Sequence, residues 1–199
     1  MVAVVVVIII ICAYFLNSKY FLYTSKYVGV QTAMRQLWSE HVIWTRQTII
    51  SAVDSDPTLS QVQARLMRNS ADMSNAIAPL VGSVSAAKAK TLLDSHLSIA
   101  VQLVQAMIAK SDTTTLMTSW KSNAADIAAF FGGLYSPVDG NDMLTMMNMH
   151  LTLTAQEATE LIAHNSNPAT FDSIYSGAMT MADGLSTGIG AKYWYRFIL

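Results

Sequence analysis

Cysteine is almost absent from this chain of 199 residues: Cys12 is the only one, which excludes an internal disulfide framework and a cysteine-rich metal site. Charge is also scarce, with 12 Lys and Arg against 13 Asp and Glu, and no arginine-rich run or basic stripe. A nucleic-acid binder relying on phosphate neutralisation is therefore not expected. No useful stretch alternates with a strand period, so sheet architectures are set aside. Glu-x-x-His, His-Glu-x-x-His and a glycine-rich phosphate loop following a strand are all missing. These absences remove the carboxylate di-metal bundle, the zincin helix and the nucleotide-binding loop. Serine, threonine and tyrosine abound, yet none stands in a recognisable nucleophile setting.

What the chain does have is a repeat. A histidine followed by a branched residue occurs three times, as His41-Val42, His96-Leu97 and His150-Leu151. Each is answered some thirty residues later by an Ala-Asp pair, Ala71-Asp72, Ala125-Asp126 and Ala182-Asp183. A period of about 54 to 57 residues suits a helical hairpin. The midpoints of the three intervals fall on turn chemistry: Asp56-Pro57, Ser111-Asp112 and the segment Asn165-Ser166-Asn167-Pro168. These offer N-cap residues, and two place proline where a first helical position belongs. Residues equidistant from a turn lie side by side, so each His is expected at the height of its Asp.

Besides proton chemistry, the least favoured, that placement leaves two roles for the histidines. Three hairpins about a pseudo-threefold axis could gather His41, His96 and His150, with Asp72, Asp126 and Asp183 behind them, as candidate ligands of zinc or iron. The simpler role, and the one favoured, has each His satisfying a ring nitrogen on its own hairpin's carboxylate, fixing register and binding nothing. No cofactor is then expected.

The amino-terminal run is the other strong signal. Residues 1 to 16 carry no charged side chain. Their helical length falls short of a bilayer core of about 30 Å, and Tyr20-Phe21-Leu22-Tyr23 with Lys19 can extend them to the interface. With no basic leader or small-x-small cleavage site, a retained anchor is expected rather than a cleaved signal. Lys19, Lys26, Arg35 and Arg46 follow the run and put the main domain on the cytoplasmic side.

Periodicity and caps predict six helices. The first spans about Tyr27 to Val53, with Gly29 as its expected interruption. The second runs from Pro57 towards Ile77, ended by Pro79 with Gly82 as a stop. The third is capped by Ser83 or Ser85 and reaches Lys110. The fourth follows Asp112 and stops at Gly132-Gly133, before a flexible linker from Ser136 to Asp142. The fifth carries Met143, Met146, Met147 and Met149 around His150, methionines read mainly as core filling. The sixth extends from Pro168 to about Thr187, ahead of Gly188 and Gly190. The tail Tyr193-Trp194-Tyr195-Arg196-Phe197 either tucks against the bundle or docks a neighbour or a membrane surface.

Leu37-Trp38-Ser39-Glu40-His41-Val42-Ile43-Trp44-Thr45-Arg46 resembles the LWxEHVxWTR signature of a family of small bacterial helical proteins. The resemblance extends over roughly residues 36 to 189, through Asp72 with Asn75-Ala76-Ile77 and Pro79, Trp120 with Asn123-Ala124 and Asp126, His150-Leu151 with Thr154 and Glu157, and Met181-Ala182-Asp183. It departs in the sixth helix, where those relatives carry further histidines and this chain has Tyr175, Gly177 and Thr180. Such a domain on a membrane segment is similar to minor capsid proteins of large algal-type DNA viruses, which join an internal membrane to the outer shell. The resemblance implies a virion location and structural-protein partners. The expectation is thus an all-α protein: an anchor over residues 1–26, contacting the membrane through residues 1–23, a six-helix bundle over 27–190 built of hairpins at about 27–80, 83–133 and 141–189, and a tail at 191–199. No small-molecule substrate, nucleic acid or catalysis is expected of it. The alternative is a membrane-tethered metal-binding bundle, with or without enzymatic activity.

Overall fold

The computed structural model describes Leu22, residues 24–134 and residues 140–198. Most of the anchor, residues 1–21 among them, and the linker residues 135–139 lie outside it. Seven helices make up the described part: α1 Ser25–Val53, α2 Leu59–Val81, α3 Ser83–Ile108, α4 Thr114–Leu134, α5 Gly140–Ile162, α6 Pro168–Lys192 and the short α7 Tyr195–Ile198. No strand occurs among the described residues.

The three turns explain why the hairpins repeat. Each of the first helices of a pair ends in a residue with left-handed backbone, Ser55 at φ 55°, Lys110 at φ 54° and His164 at φ 51°. The next amide reaches back five residues in every case: Asp56 N donates to Ser51 O, Ser111 N to Ala106 O and Asn165 N to Glu160 O, each at 2.9 Å. This is the double-bonded helix stop that satisfies otherwise orphaned carbonyls. An aspartate then leads into the return helix in the first two hairpins by accepting from the residue two positions on. Asp56 Oδ1 accepts from Thr58 N and Oγ1, and Asp112 Oδ1 from Thr114 N and Oγ1. In the third hairpin Asn167 Oδ1 accepts from Ala169 N at 3.1 Å, with Pro168 in the first turn. The three stops thus share one geometry, while the entries differ: Pro168 takes the first helical position as expected, and Pro57 does not, since α2 starts at Leu59 after Thr58.

Their packing closes a ring. Besides the partners within each hairpin, α2 packs on α3, α4 on α5 and α6 back on α1. Contacts across the middle join α1, α3 and α5 to one another. These three helices therefore form the inner triangle, with α2, α4 and α6 between them. One apolar core runs through the ring, including Trp38, Val42, Met73, Leu93, Trp120, Ile127, Met147, Leu151 and Met181.

Several boundaries differ from the sequence expectation. Gly29 lies within α1 and interrupts nothing. Pro79 sits inside the last turn of α2, where its missing N–H removes a single ladder bond, and the stop comes at Gly82, whose φ of 86° suits glycine. Gly82 also caps α3, so neither Ser83 nor Ser85 does. The glycines at 132–133 and 188–190 remain helical; Gly188 and Gly190 are buried, where packing outweighs their weak propensity. The expected linker is shortened, since α5 already starts at Gly140.

The tail tucks in. Phe197 is 4% exposed and meets the Tyr27 ring edge-on, with centroids 5.9 Å apart. Arg196 Nη1 donates to Pro79 O at 2.6 Å. Burying one such phenylalanine contributes about 1.5–3 kcal/mol, enough to hold α7 on the start of α1. Tyr195 is left exposed.

Candidate functional site: a buried cluster of three histidines

The pseudo-threefold ring brings the repeated histidines together at its centre. His41 on α1, His96 on α3 and His150 on α5 are all buried. Their ring centroids are 6.5 Å apart for His41 and His96, 5.5 Å for His41 and His150, and 6.1 Å for His96 and His150. Trp38 stands edge-on to His41 at 5.8 Å, and Trp120 lies 5.3 Å from His96. The rings and Trp38, Met73, Leu93, Ile127 and Met147 enclose a cavity of about 10 Å³. A space of that size approaches what a single water molecule needs.

The expected His–Asp pairs do not form: the histidines meet, and their aspartates do not follow them. Asp72 pairs with Arg65 and Arg68. Asp126 is exposed. Asp183 accepts two 2.6 Å bonds from Arg35 of α1, which hold its carboxyl below the usual range, and a further one from Gln31. The actual partners stand one helical turn earlier. Asn123 Oδ1 lies 2.9 Å from His96 Nδ1 while Asn123 Nδ2 donates to Leu92 O, four residues before that histidine. Asn69 does the same on the first hairpin, donating to Leu37 O, again four residues before its histidine, and its side chain also hydrogen-bonds His41. A midpoint argument cannot separate positions one turn apart. Desolvation can, because a neutral amide is far cheaper to bury than a carboxylate.

The amide clamp also fixes a tautomer. With Asn123 Nδ2 committed to a carbonyl, its Oδ1 can only accept, so His96 carries its proton on Nδ1 and keeps the Nε2 lone pair. Burial, the largest influence, pushes His96 down to about 4, with Asn123 opposing. His41 falls to about 3, chiefly through burial and then through the neighbouring His96. Burial followed by the charges that His41 and His96 would carry holds His150 well below its ordinary value. All three rings are thus neutral at physiological pH.

The third hairpin breaks the pattern. Thr180 occupies the position of Asn69 and Asn123, three residues before Asp183, and its hydroxyl bonds to Ser176 O on its own helix. His150 Nδ1 is buried with no hydrogen-bond partner among the described residues. A clamp found twice is missing once.

The signature segment surrounds this site. Leu37 O receives the Asn69 clamp, Trp38 packs on His41, and Thr45 Oγ1 donates to His41 O at 2.8 Å. Glu40 accepts from Arg65 at 2.6 Å, and that guanidinium lies over Trp44 at 5.4 Å. Arg46 pairs with Glu157 of α5 and covers Phe171 at 4.9 Å. Glu157 is buried, and desolvation raises its carboxyl despite Arg46. Sequence reasoning had not assigned Asn69, Asn123 or Arg46 to the site. The fixed spacing of Asn69 and Asn123 ahead of Asp72 and Asp126 was the signal available.

Chemically the cluster offers neutral imidazoles with at least one defined lone pair. Among the described residues no set of three His, Cys, Asp or Glu side chains is arranged to hold a metal ion. No family model, curated protein or solved structure matches this chain.

Proposed function

We propose that the protein is a membrane-tethered structural module that acts by holding its neighbours, as a minor capsid protein linking an internal membrane to the shell of a large DNA virus. The observation that carries the tether is the uncharged run of residues 1–16, leading into α1 with Thr24 as its cap. Resemblance alone supports the capsid assignment. In sequence, α1 follows that run within ten residues and continues to the first turn of the bundle. Helix α3, Ser83–Ile108, is also long and apolar enough to cross a membrane by length and composition. It packs against α2 and α4 within the ring, which supports assigning it to the bundle.

Two measurements test this reading. The full chain should stay with membranes after alkaline carbonate extraction, whereas a chain lacking residues 1–23 should be released; equal release of both would refute the tether. Particle incorporation of Tyr195→Ala then tests the tail as a dock. This substitution suits the question better than deleting the tail, because Tyr195 is exposed while Phe197 belongs to the core.

The nearness of the three histidines supports a second reading, in which the bundle holds zinc or iron through His41, His96 and His150 after their rings, which as placed are not arranged to hold a metal ion, turn towards one point. Neutral rings and a clamped Nδ1–H are what metal-binding imidazoles use. Metal analysis of the purified protein decides it: stoichiometric metal lost in His96→Ala supports this reading, and a metal-free wild type removes it.

A further inference from the structure

The methionines of α5 form two sets, and core filling explains only one of them. Four fall within the seven residues from Met143 to Met149. Met143 and Met147 are buried in the core. Met149 is 61% exposed, and Met146 is half-buried. These two stand three residues apart, on successive turns of one helix face. Both line a pocket of about 190 Å³ between α5 and α6, and Met181 lines the same pocket from α6. Met149 and Thr180, both exposed, give it a mouth on the surface.

The remaining wall decides which ligand suits it. Apart from His150 and two hydroxyls it is apolar, and no carboxylate, lysine or arginine takes part. The hydroxyls are turned back on their own helix, Ser173 Oγ donating to Ala169 O and Thr180 Oγ1 to Ser176 O. A divalent cation would bring charge that nothing in this wall balances, and hard ions require oxygen ligands that it does not present. Thioether sulfur is neutral, soft and polarisable, and it selects Cu(I).

We propose that this pocket binds Cu(I) through the thioethers of Met146, Met149 and Met181. Helical spacing sets the first two side chains next to each other, and α6 supplies the third from across the pocket. Methionine is unbranched and rotates freely about its side-chain bonds, so the three sulfurs turn inward onto one ion. Its single charge enters a neutral wall at a lower desolvation cost than that of any divalent ion. This inference is independent of the membrane tether, and its donors differ from the ring nitrogens of the zinc or iron reading. It departs from the sequence expectation of methionine as core filling and of no cofactor.

The test uses the full chain in detergent micelles, labelled with ¹³C at the methionine methyl groups and carrying Cys12→Ser to remove its only thiol. Cu(I), kept reduced by ascorbate under nitrogen, should give a saturable shift of the Met146, Met149 and Met181 methyls, and Zn(II) should move none of them. Met149→Leu keeps the bulk of an exposed side chain, so its circular dichroism should be unchanged. Its Cu(I) affinity, measured by competition with a chromophoric chelator, should fall at least tenfold. Absence of a saturable shift at these methyls would overturn the proposal. So would undiminished affinity in folded Met149→Leu; Cu(I) held by the three histidines would give that result and would be lost in His96→Ala instead.

Discussion

Asn123 is the residue on which the histidine centre turns, because one amide satisfies both a buried ring nitrogen and the Leu92 carbonyl. Replacing it with alanine leaves His96 Nδ1 buried and unpaired, at a cost of about 1–3 kcal/mol. Urea denaturation of Asn123→Ala should show that loss, and an unchanged midpoint would mean that water takes over the bond. Asparagine at this place was hidden in the sequence behind the more conspicuous Asp126 three residues on. A charged residue draws attention, but solvent claims it. The buried partner is the neutral one.

Single helices hold their places through pairs that reach between hairpins. Arg46 of α1 and Glu157 of α5 join two sides of the inner triangle, with side-chain exposures of 23% and 3%. Arg46→Met strands a buried carboxylate and should destabilise the bundle by about 3–5 kcal/mol. Adding Glu157→Leu removes the stranded group, and recovery of most of the loss in thermal unfolding is the expected outcome. The turns carry a smaller reserve. Lys110 adopts φ 54° with a side chain, so Lys110→Gly should gain up to about 1 kcal/mol by relieving the left-handed strain. A lower melting temperature for that variant would show that the lost chain entropy of glycine dominates.

At the scale of the whole molecule, the buried rings make stability depend on acid. His41 and His96 titrate near 6.5 when unfolded but at about 3 and about 4 in the fold. Below 6.5 the unfolded chain binds protons that the native state refuses, so stability is full above that value and falls as the pH drops. Each group costs about 1.4 kcal/mol per pH unit until its folded value is reached. Asp183, depressed by Arg35, adds to the loss below its ordinary value of 3.8. The urea midpoint should therefore be level between pH 8 and 7 and decline steadily from about 6 to 4. A flat profile through that window would show that the rings are protonated in the fold.

The sequence by itself determined the hairpins: cap residues and helix stops act locally, over the few residues of each turn, and the His repeat marks their common register. It determined an uncharged amino-terminal run for the same reason, since hydropathy is additive along a chain. The closing of three hairpins into one ring was decided only in three dimensions, by apolar faces whose partners lie far apart in the chain. The joining of the histidines followed from that closure, as did the choice of Asn69 and Asn123 over Asp72 and Asp126. Desolvation depends on what surrounds a group on every side, and a linear pattern shows only its neighbours along the helix. The lone Nδ1 of His150 belongs to the same class of fact: Thr180 reads as an ordinary helical threonine until the two filled positions related to it are seen around the axis.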